Sequence, residues 1–205
     1  MERNYNETHS AILLSAKENF LKKGYERSNL REICVGANVT TGAFYRHFTD
    51  KQAVFEELVK PVINELKMKY TESENKFYDL LNTEDIDLLW NINDDSVSYF
   101  LDFIYRNFNE FKLLLCHSDG TIYENFIHDI AEVETVHTVQ FMNSLKEKGY
   151  KVKDISKEEV HMLIQACFTS IFEIIIHNYN REEAKKFIST IVEFNTIGWK
   201  NIFGI

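Results

Sequence analysis

Apolar side chains recur three and four positions apart along almost the whole chain, the spacing that lines one face of a helix. A first such run spans roughly Thr8 to Lys22, with Ala11, Ile12, Ser15, Ala16 and Phe20 facing inward. It stops at Lys22-Lys23-Gly24, where cations in the last turn precede a residue free to take a left-handed backbone. A short second helix follows Asn29, an N-cap with Glu32 placed as in a capping box, and buries Ile33, Cys34 and Ala37. The tight turn Ala37-Asn38-Val39 suits asparagine, which tolerates positive φ. Thr40 then caps a third helix, Thr41 to Phe48. Asp50 caps a fourth that runs past Leu58 toward Tyr70, and Pro61 inside it predicts a kink or break near Lys60.

Beyond about residue 72 the helical period persists and the apolar positions become more aromatic. The segments 86–107, 109–117, 120–148, 157–178 and 181–203 each carry it. Polar stretches punctuate them at Asn93-Asp94-Asp95, Ser118-Asp119-Gly120, Gly149 to Ser156 and Asn178-Tyr179-Asn180. One proline and seven glycines are too few punctuators for a many-turned β-sandwich. The fold class expected is therefore all-α, with a three-helix helix-turn-helix domain over 1–52 and an all-helical domain over 53–205.

Composition changes this picture little until charge is divided along the chain. A hydrophobic fraction of 44% supports a packed core and argues against disorder. The net charge of −9 looks unsuited to a DNA binder. Residues 1–60, however, carry nine Lys/Arg against eight Asp/Glu, and the rest carries fourteen against twenty-four. From Lys22 to Lys51 the count is six basic to three acidic. An acidic body with a basic tip suits a protein that meets phosphates with one end. Cys34, Cys116 and Cys167 lie far apart in apolar helical contexts, which implies reduced thiols. The N-terminus has no apolar signal region, and the apolar stretch around Ile171–Ile176 is interrupted by Glu173 and His177. A cytoplasmic protein without a membrane partner is expected.

The third helix carries the chemistry. Val39, Phe44 and Phe48 are spaced to pack inward, while Thr40, Thr41, Tyr45, Arg46 and His47 offer hydroxyls, a guanidinium and an imidazole outward. Gly42 and Ala43 are small enough to bring the helix N-terminus close to a groove, and that terminus presents free N–H groups to phosphate. Lys51 stands in the first turn of the fourth helix, where stability alone favours an acid.

The run Gly24-Tyr25, Ile33, Ala37-Asn38-Val39-Thr40-Thr41-Gly42-Ala43-Phe44-Tyr45-Arg46-His47-Phe48 and Lys51 closely resembles the TetR family of bacterial repressors. The resemblance covers residues 8–58 specifically, and the ending Gly198-Trp199-Lys200-Asn201-Ile202-Phe203-Gly204 is similar to that of many members. Asn38 replaces a usual glycine and Cys34 a usual alanine. Both are physically mild, since Asn accepts the turn and Cys behaves as a small hydrophobe. The resemblance implies a homodimeric, ligand-responsive transcriptional regulator, most simply a repressor, on a palindromic double-stranded operator. It implies that Arg31, Thr41, Gly42 and Ala43 face base edges, with Arg46 able to join them. It implies phosphate contacts from Thr40, Tyr45, His47 and Lys51, which set register and affinity without reading sequence.

Two apolar stripes near the end of the chain suggest a dimer interface: Val160, Ile164, Cys167, Ile171 and Ile174, then Phe187, Ile191, Phe194, Gly198 and Ile202. The middle helices are rich in aromatics, among them Trp90, and the family resemblance places an effector pocket there. Phe103, Tyr123, Phe126, Phe141 and Phe168 are expected to line it around an apolar or aromatic ligand.

Metal binding is not expected. Glu124, His128 and Glu132 sit four apart, but no HExxH and no nearby cysteine completes a set. No nucleophile elbow or Gly-rich phosphate loop is present, so no catalytic residue and no cofactor are assigned and no enzyme is expected. Alternative readings are a helical interaction adaptor or an activator using the same fold.

Overall fold

A computed structural model of the protein describes residues 4–81 and 94–205. Every regular element in them is a helix: α1 (Tyr5–Lys23), α2 (Leu30–Ala37), α3 (Thr41–Phe44), α4 (Lys51–Leu81), α5 (Asp94–Arg106), α6 (Phe108–Cys116), α7 (Phe126–Glu147), α8 (Lys157–Ile176) and α9 (Arg181–Phe203). Trp90, and the part of the expected 86–107 segment before Asp94, lie outside the described residues.

These helices gather into two compact units. The first comprises the described residues up to Tyr70 together with Asn107–Glu124. Its core is made by Ile12, Ala16 and Phe20 of α1, Ile33 and Ala37 of α2, Phe44 and Phe48, and Val54, Phe55 and Val59 of α4, all buried. The Phe20 and Phe55 rings lie 5.5 Å apart, and Tyr25 meets Phe55 edge-on at 5.4 Å. α6 joins this unit from far along the chain. Phe111, Leu113 and Leu114 are buried, Lys17 of α1 pairs with Glu110, and the Tyr25 N–H donates to the His117 carbonyl at 3.0 Å.

The second unit comprises the described residues of Thr71–Arg106 and Asn125–Ile205. One apolar cluster there joins Ala131, Phe141, Met142 and Leu145 of α7 to Val160 and Ile164 of α8 and Phe203 of α9. Full capping boxes start α8, from Ser156 and Glu159, and α9, from Asn180 and Glu183, so the orphan N–H groups of each first turn are answered locally. Arg181 pairs with Asp102 of α5 at 2.6 Å.

The helix signals act as expected at most ends and depart at four places. α1 starts at Tyr5 because Asn4 and Glu7 form a capping box upstream of Thr8. α3 is regular only to Phe44. Its continuation to Phe48 mixes three- and four-residue hydrogen bonds, Arg46 N–H to Ala43 and Phe48 N–H to Phe44. α7 begins at Phe126 rather than near 120, since the Thr121 hydroxyl donates to the Ser118 carbonyl at 2.7 Å and accepts from the Tyr123 N–H at 3.0 Å, which favours a turn.

The fourth departure is Pro61, which does not break α4. Its ring is exposed while Val59 and Val62 on either side are buried, so the core holds both halves and water can serve the one carbonyl left without a donor. α8, taken over Lys157–Ile176, is long and apolar enough by length and composition to cross a membrane, more than the Ile171–Ile176 stretch alone suggests. Val160, Ile164, Phe172, Ile174 and Ile175 turn instead into the protein's own core.

Candidate nucleic-acid interface

The recognition segment is held from beneath. Ile33, Cys34 and Ala37 fix α2 on α1, and Phe44 and Phe48 fix α3. Between them Asn38 takes φ 54° and ψ 50°, the left-handed conformation expected of it, and its N–H closes α2. The Thr40 hydroxyl accepts from the Ala43 N–H at 3.1 Å, so this side chain spends one acceptor on capping α3. The arrangement leaves Arg31, Thr40, Thr41, Gly42, Tyr45 and Arg46 exposed, with Ala43 half-buried. Tyr45 is 58% exposed, high for an aromatic ring that could have packed on its neighbours. One short segment thus brings together two hydroxyls, a phenol, a guanidinium and a bare glycine, with Arg31 on the helix before it.

Two residues expected at phosphates are placed differently. The Lys51 ammonium is turned back into the protein, where it donates to the carbonyls of Tyr25 at 2.7 Å and Ser28 at 2.9 Å, with the Glu26 carbonyl at 3.5 Å. It also lies 4.0 Å from the centroid of the Tyr25 ring. Burial lowers its pKa, with the Glu26 carboxylate acting in the opposite sense. Its cationic first-turn position is explained by this clamp on the α1–α2 connection rather than by an outward phosphate contact.

His47 is half-buried beneath Tyr5, with ring centroids 4.1 Å apart. His9 lies 5.5 Å away, and its Nε2 meets Glu57 at 2.6 Å. Burial chiefly, then the charges of His9 and Arg46, lower the His47 pKa. Its Nδ1 is buried without a hydrogen-bond partner. The imidazole is thus an aromatic wedge between α1 and the recognition segment.

The residues expected at a dimer interface divide in two. Val160, Ile164 and Ile174 are buried within the second unit, so they belong to its core and cannot meet a partner. Cys167, Ile171, Phe187, Ile191 and Ile202 are half-buried, whereas Phe194 and Gly198 are exposed. The outward apolar positions that periodicity missed are Met162 at 69%, Leu163 at 44% and Ile197 at 65% exposure, beside Phe194 at 75%. On α8, Met162 and Leu163 lie two and three residues past the buried Val160. Only the unusual exposure of large side chains reveals them.

Of the expected effector-pocket residues, Phe141 is buried in the α7–α8–α9 cluster and Phe168 packs against it. Phe126 lies outside that cluster beside Phe172, 6.2 Å between centroids. Phe103 is buried in α5. Tyr123 belongs to the first unit, 6.2 Å from the ring of Phe55.

Residues 12–58 match the model of the N-terminal domain of bacterial regulatory proteins, tetR family. Over 53 residues the chain is 47% identical to the HTH-type transcriptional repressor BepR of Brucella suis, covering 26% of this chain and 25% of that protein. Over 106 residues it is 28% identical to the transposon Tn10 TetC protein of Escherichia coli, covering 52% and 49% of the two chains. The chain therefore spans a quarter to about half of the length of these curated relatives. A TetR family transcriptional regulator from Chloroflexus aurantiacus superposes with a TM-score of 0.55 over 96% of this chain and 94% of that one, at 15% identity, and so shares the fold. Over residues 12–58 the chain thus carries the N-terminal domain of the tetR family of bacterial regulatory proteins.

Proposed function

We propose that the protein is a homodimeric, ligand-responsive repressor that binds a palindromic operator. The observation that carries this reading is the exposed set Arg31, Thr40, Thr41, Gly42, Tyr45 and Arg46 on a recognition segment fixed by buried Phe44 and Phe48. Arg31, Thr41, Gly42 and Ala43 read base edges, with Arg46 beside them, and Thr40 and Tyr45 hold phosphate. Residues 1–52 serve as the DNA-reading domain and 53–205 as the dimerisation and effector domain, in a cytoplasmic protein that acts without catalysis. BepR, similar over this N-terminal region, is itself a repressor by name.

Two copies are needed because a palindrome offers two half-sites about one DNA turn apart. The outward face made by Met162, Leu163, Phe194 and Ile197 supplies the apolar area for a bundle of α8 and α9 with their partner copies. An apolar effector among Phe103, Phe126, Phe141 and Phe168 acts by favouring one arrangement of the dimer. A coupling of about 1–3 kcal/mol suffices to change operator occupancy roughly 5- to 150-fold.

Selection from a randomised duplex library at two salt concentrations tests the reading. Enrichment of a palindrome, with affinity falling steeply as salt rises, supports it. Absence of both leaves the adaptor alternative, and the position of the recovered operator relative to promoters separates repressor from activator.

A further inference from the structure

His128 and Glu132 sit one turn apart on the same face of α7, and the fold brings a third donor to them from α8. His161 packs its ring against that of His128, with centroids 5.0 Å apart and planes at 78°. Its Nδ1 lies 3.6 Å from the nearer Glu132 carboxylate oxygen. One ligand atom from each of the three lies within 4.8 Å of the others, and this is the one such group of three among the described residues. We propose that His128, Glu132 and His161 form a binding site for a single divalent transition-metal ion of the zinc class.

The donor set argues for that class. Two imidazoles with one carboxylate suit zinc and its neighbours, whereas calcium and magnesium take oxygen ligands. Bonds of about 2.0–2.2 Å bring the three donors closer together than they now stand, and small rotations of the exposed His128 and Glu132 side chains supply the difference. The platform beneath is packed. Ala131 and Val160, beside the ligands on their two helices, are both buried in one apolar cluster. Thr135, itself buried, lies 3.2 Å from His161 Nδ1 and donates its own hydroxyl proton to the Ala131 carbonyl at 2.6 Å. With that proton given to Ala131, the hydroxyl accepts from His161 Nδ1–H, which leaves Nε2 to the ion and orients the ring as supporting shells hold metal-bound histidines. Lys157 lies 3.9 Å from the second Glu132 oxygen and is the cation an ion would displace, an easy exchange for an exposed side chain. Water fills the remaining coordination positions.

The protein contains its own control. His177 and Glu173 form another pair one turn apart, 2.7 Å between their atoms, which belongs to no group of three donors among the described residues. If spacing alone sufficed, both pairs would bind alike.

The test uses the full-length, metal-stripped protein and needs no DNA, so it stands apart from the regulator reading. Zn²⁺ is titrated against a chromophoric chelator and Co²⁺ is followed by its visible ligand-field bands, for wild type, His128→Ala, Glu132→Gln, His161→Gln and His177→Gln. Circular dichroism checks each fold. The expected result is one ion per chain in wild type and His177→Gln, with affinity weakened roughly tenfold or more in each of the other three. No saturable binding, wild-type affinity in the three site variants, or an equal loss in His177→Gln overturns the proposal.

Discussion

Lys51 reaches across the N-terminal unit to hold Tyr25 twice, by a 2.7 Å hydrogen bond to its carbonyl and by a cation placed 4.0 Å from its ring centroid. Replacing Lys51 with methionine keeps the stem and removes the ammonium, leaving the Tyr25 and Ser28 carbonyls without this donor. The expected cost is about 2 kcal/mol in urea unfolding. The same variant distinguishes clamp from phosphate contact. Measured on an operator, the salt dependence of binding keeps its slope if the ammonium faces inward, whereas a lost phosphate contact lowers the slope by about one.

His47 predicts a pH dependence. Its pKa in the folded chain is lowered, first by burial, then by His9 and Arg46. The unfolded chain therefore takes up the proton first as pH falls, and stability declines from just above about pH 6.5 down to the folded-state value, then levels off. His47→Phe keeps the ring against Tyr5 and removes the titration. Its stability relative to wild type should rise between pH 7 and pH 5. A constant difference across that range would show that the imidazole does not titrate on unfolding.

At Gly36 the close packing of α2 on α1 can be measured. A Cβ built there meets the Ser15 hydroxyl at 2.3 Å, and that hydroxyl is already donating to the Ile33 carbonyl at 2.9 Å. Gly36→Ala should cost about 1–3 kcal/mol through this overlap, although alanine favours helices. Combined with Ser15→Ala the penalty should shrink, since the nearest remaining atom is the Ser15 Cβ at 3.4 Å. Additive effects in the double-mutant cycle would refute the overlap.

Inward and outward positions of α8 and α9 should respond oppositely. Phe194→Glu and Ile197→Glu place charge on side chains 75% and 65% exposed, so the fold should survive. The expected light-scattering result is dimers for wild type and monomers for both variants. Ile164→Ala, at a buried site, should cost about 2–5 kcal/mol in stability instead. Dimers that persist in both glutamate variants would move the interface elsewhere.

Helix existence was legible because its signals are local. The Asn29 and Thr40 side chains cap as expected, although Glu32 pairs with Lys23 and does not complete the capping box; Gly24 and Asn38 take positive φ, and the Asp50 carboxylate accepts from the Ala53 N–H at 2.8 Å. What sequence could not resolve depends on a third body. Lys51 looked like a phosphate contact because its partners are backbone carbonyls, which have no residue identity to read. Val160 and Ile164 looked available to a partner because periodicity finds a stripe without saying what covers it. His128 and Glu132 looked incomplete as ligands because His161 joins them only through the packing of α8 on α7. The exposure of Thr40, Thr41, Tyr45 and Arg46 was easier to read, since Phe44 and Phe48 take the inward positions of the same short segment.

The hydrogen bond from Tyr25 to His117 has a consequence for anyone wishing to transplant the DNA-reading head. The unit it closes is not one continuous stretch of chain, for α6 returns to it after the chain has left. Cutting at Tyr70 would strip away Glu110, the apolar side of α6 and the His117 carbonyl together. A portable head must carry 107–124 on a new linker, or be permuted so that both pieces are contiguous. In the intact protein the backbone crosses between the units three times, after Tyr70, Arg106 and Glu124. The head is moored by three lines, and any pull from the rest of the molecule can be shared among them.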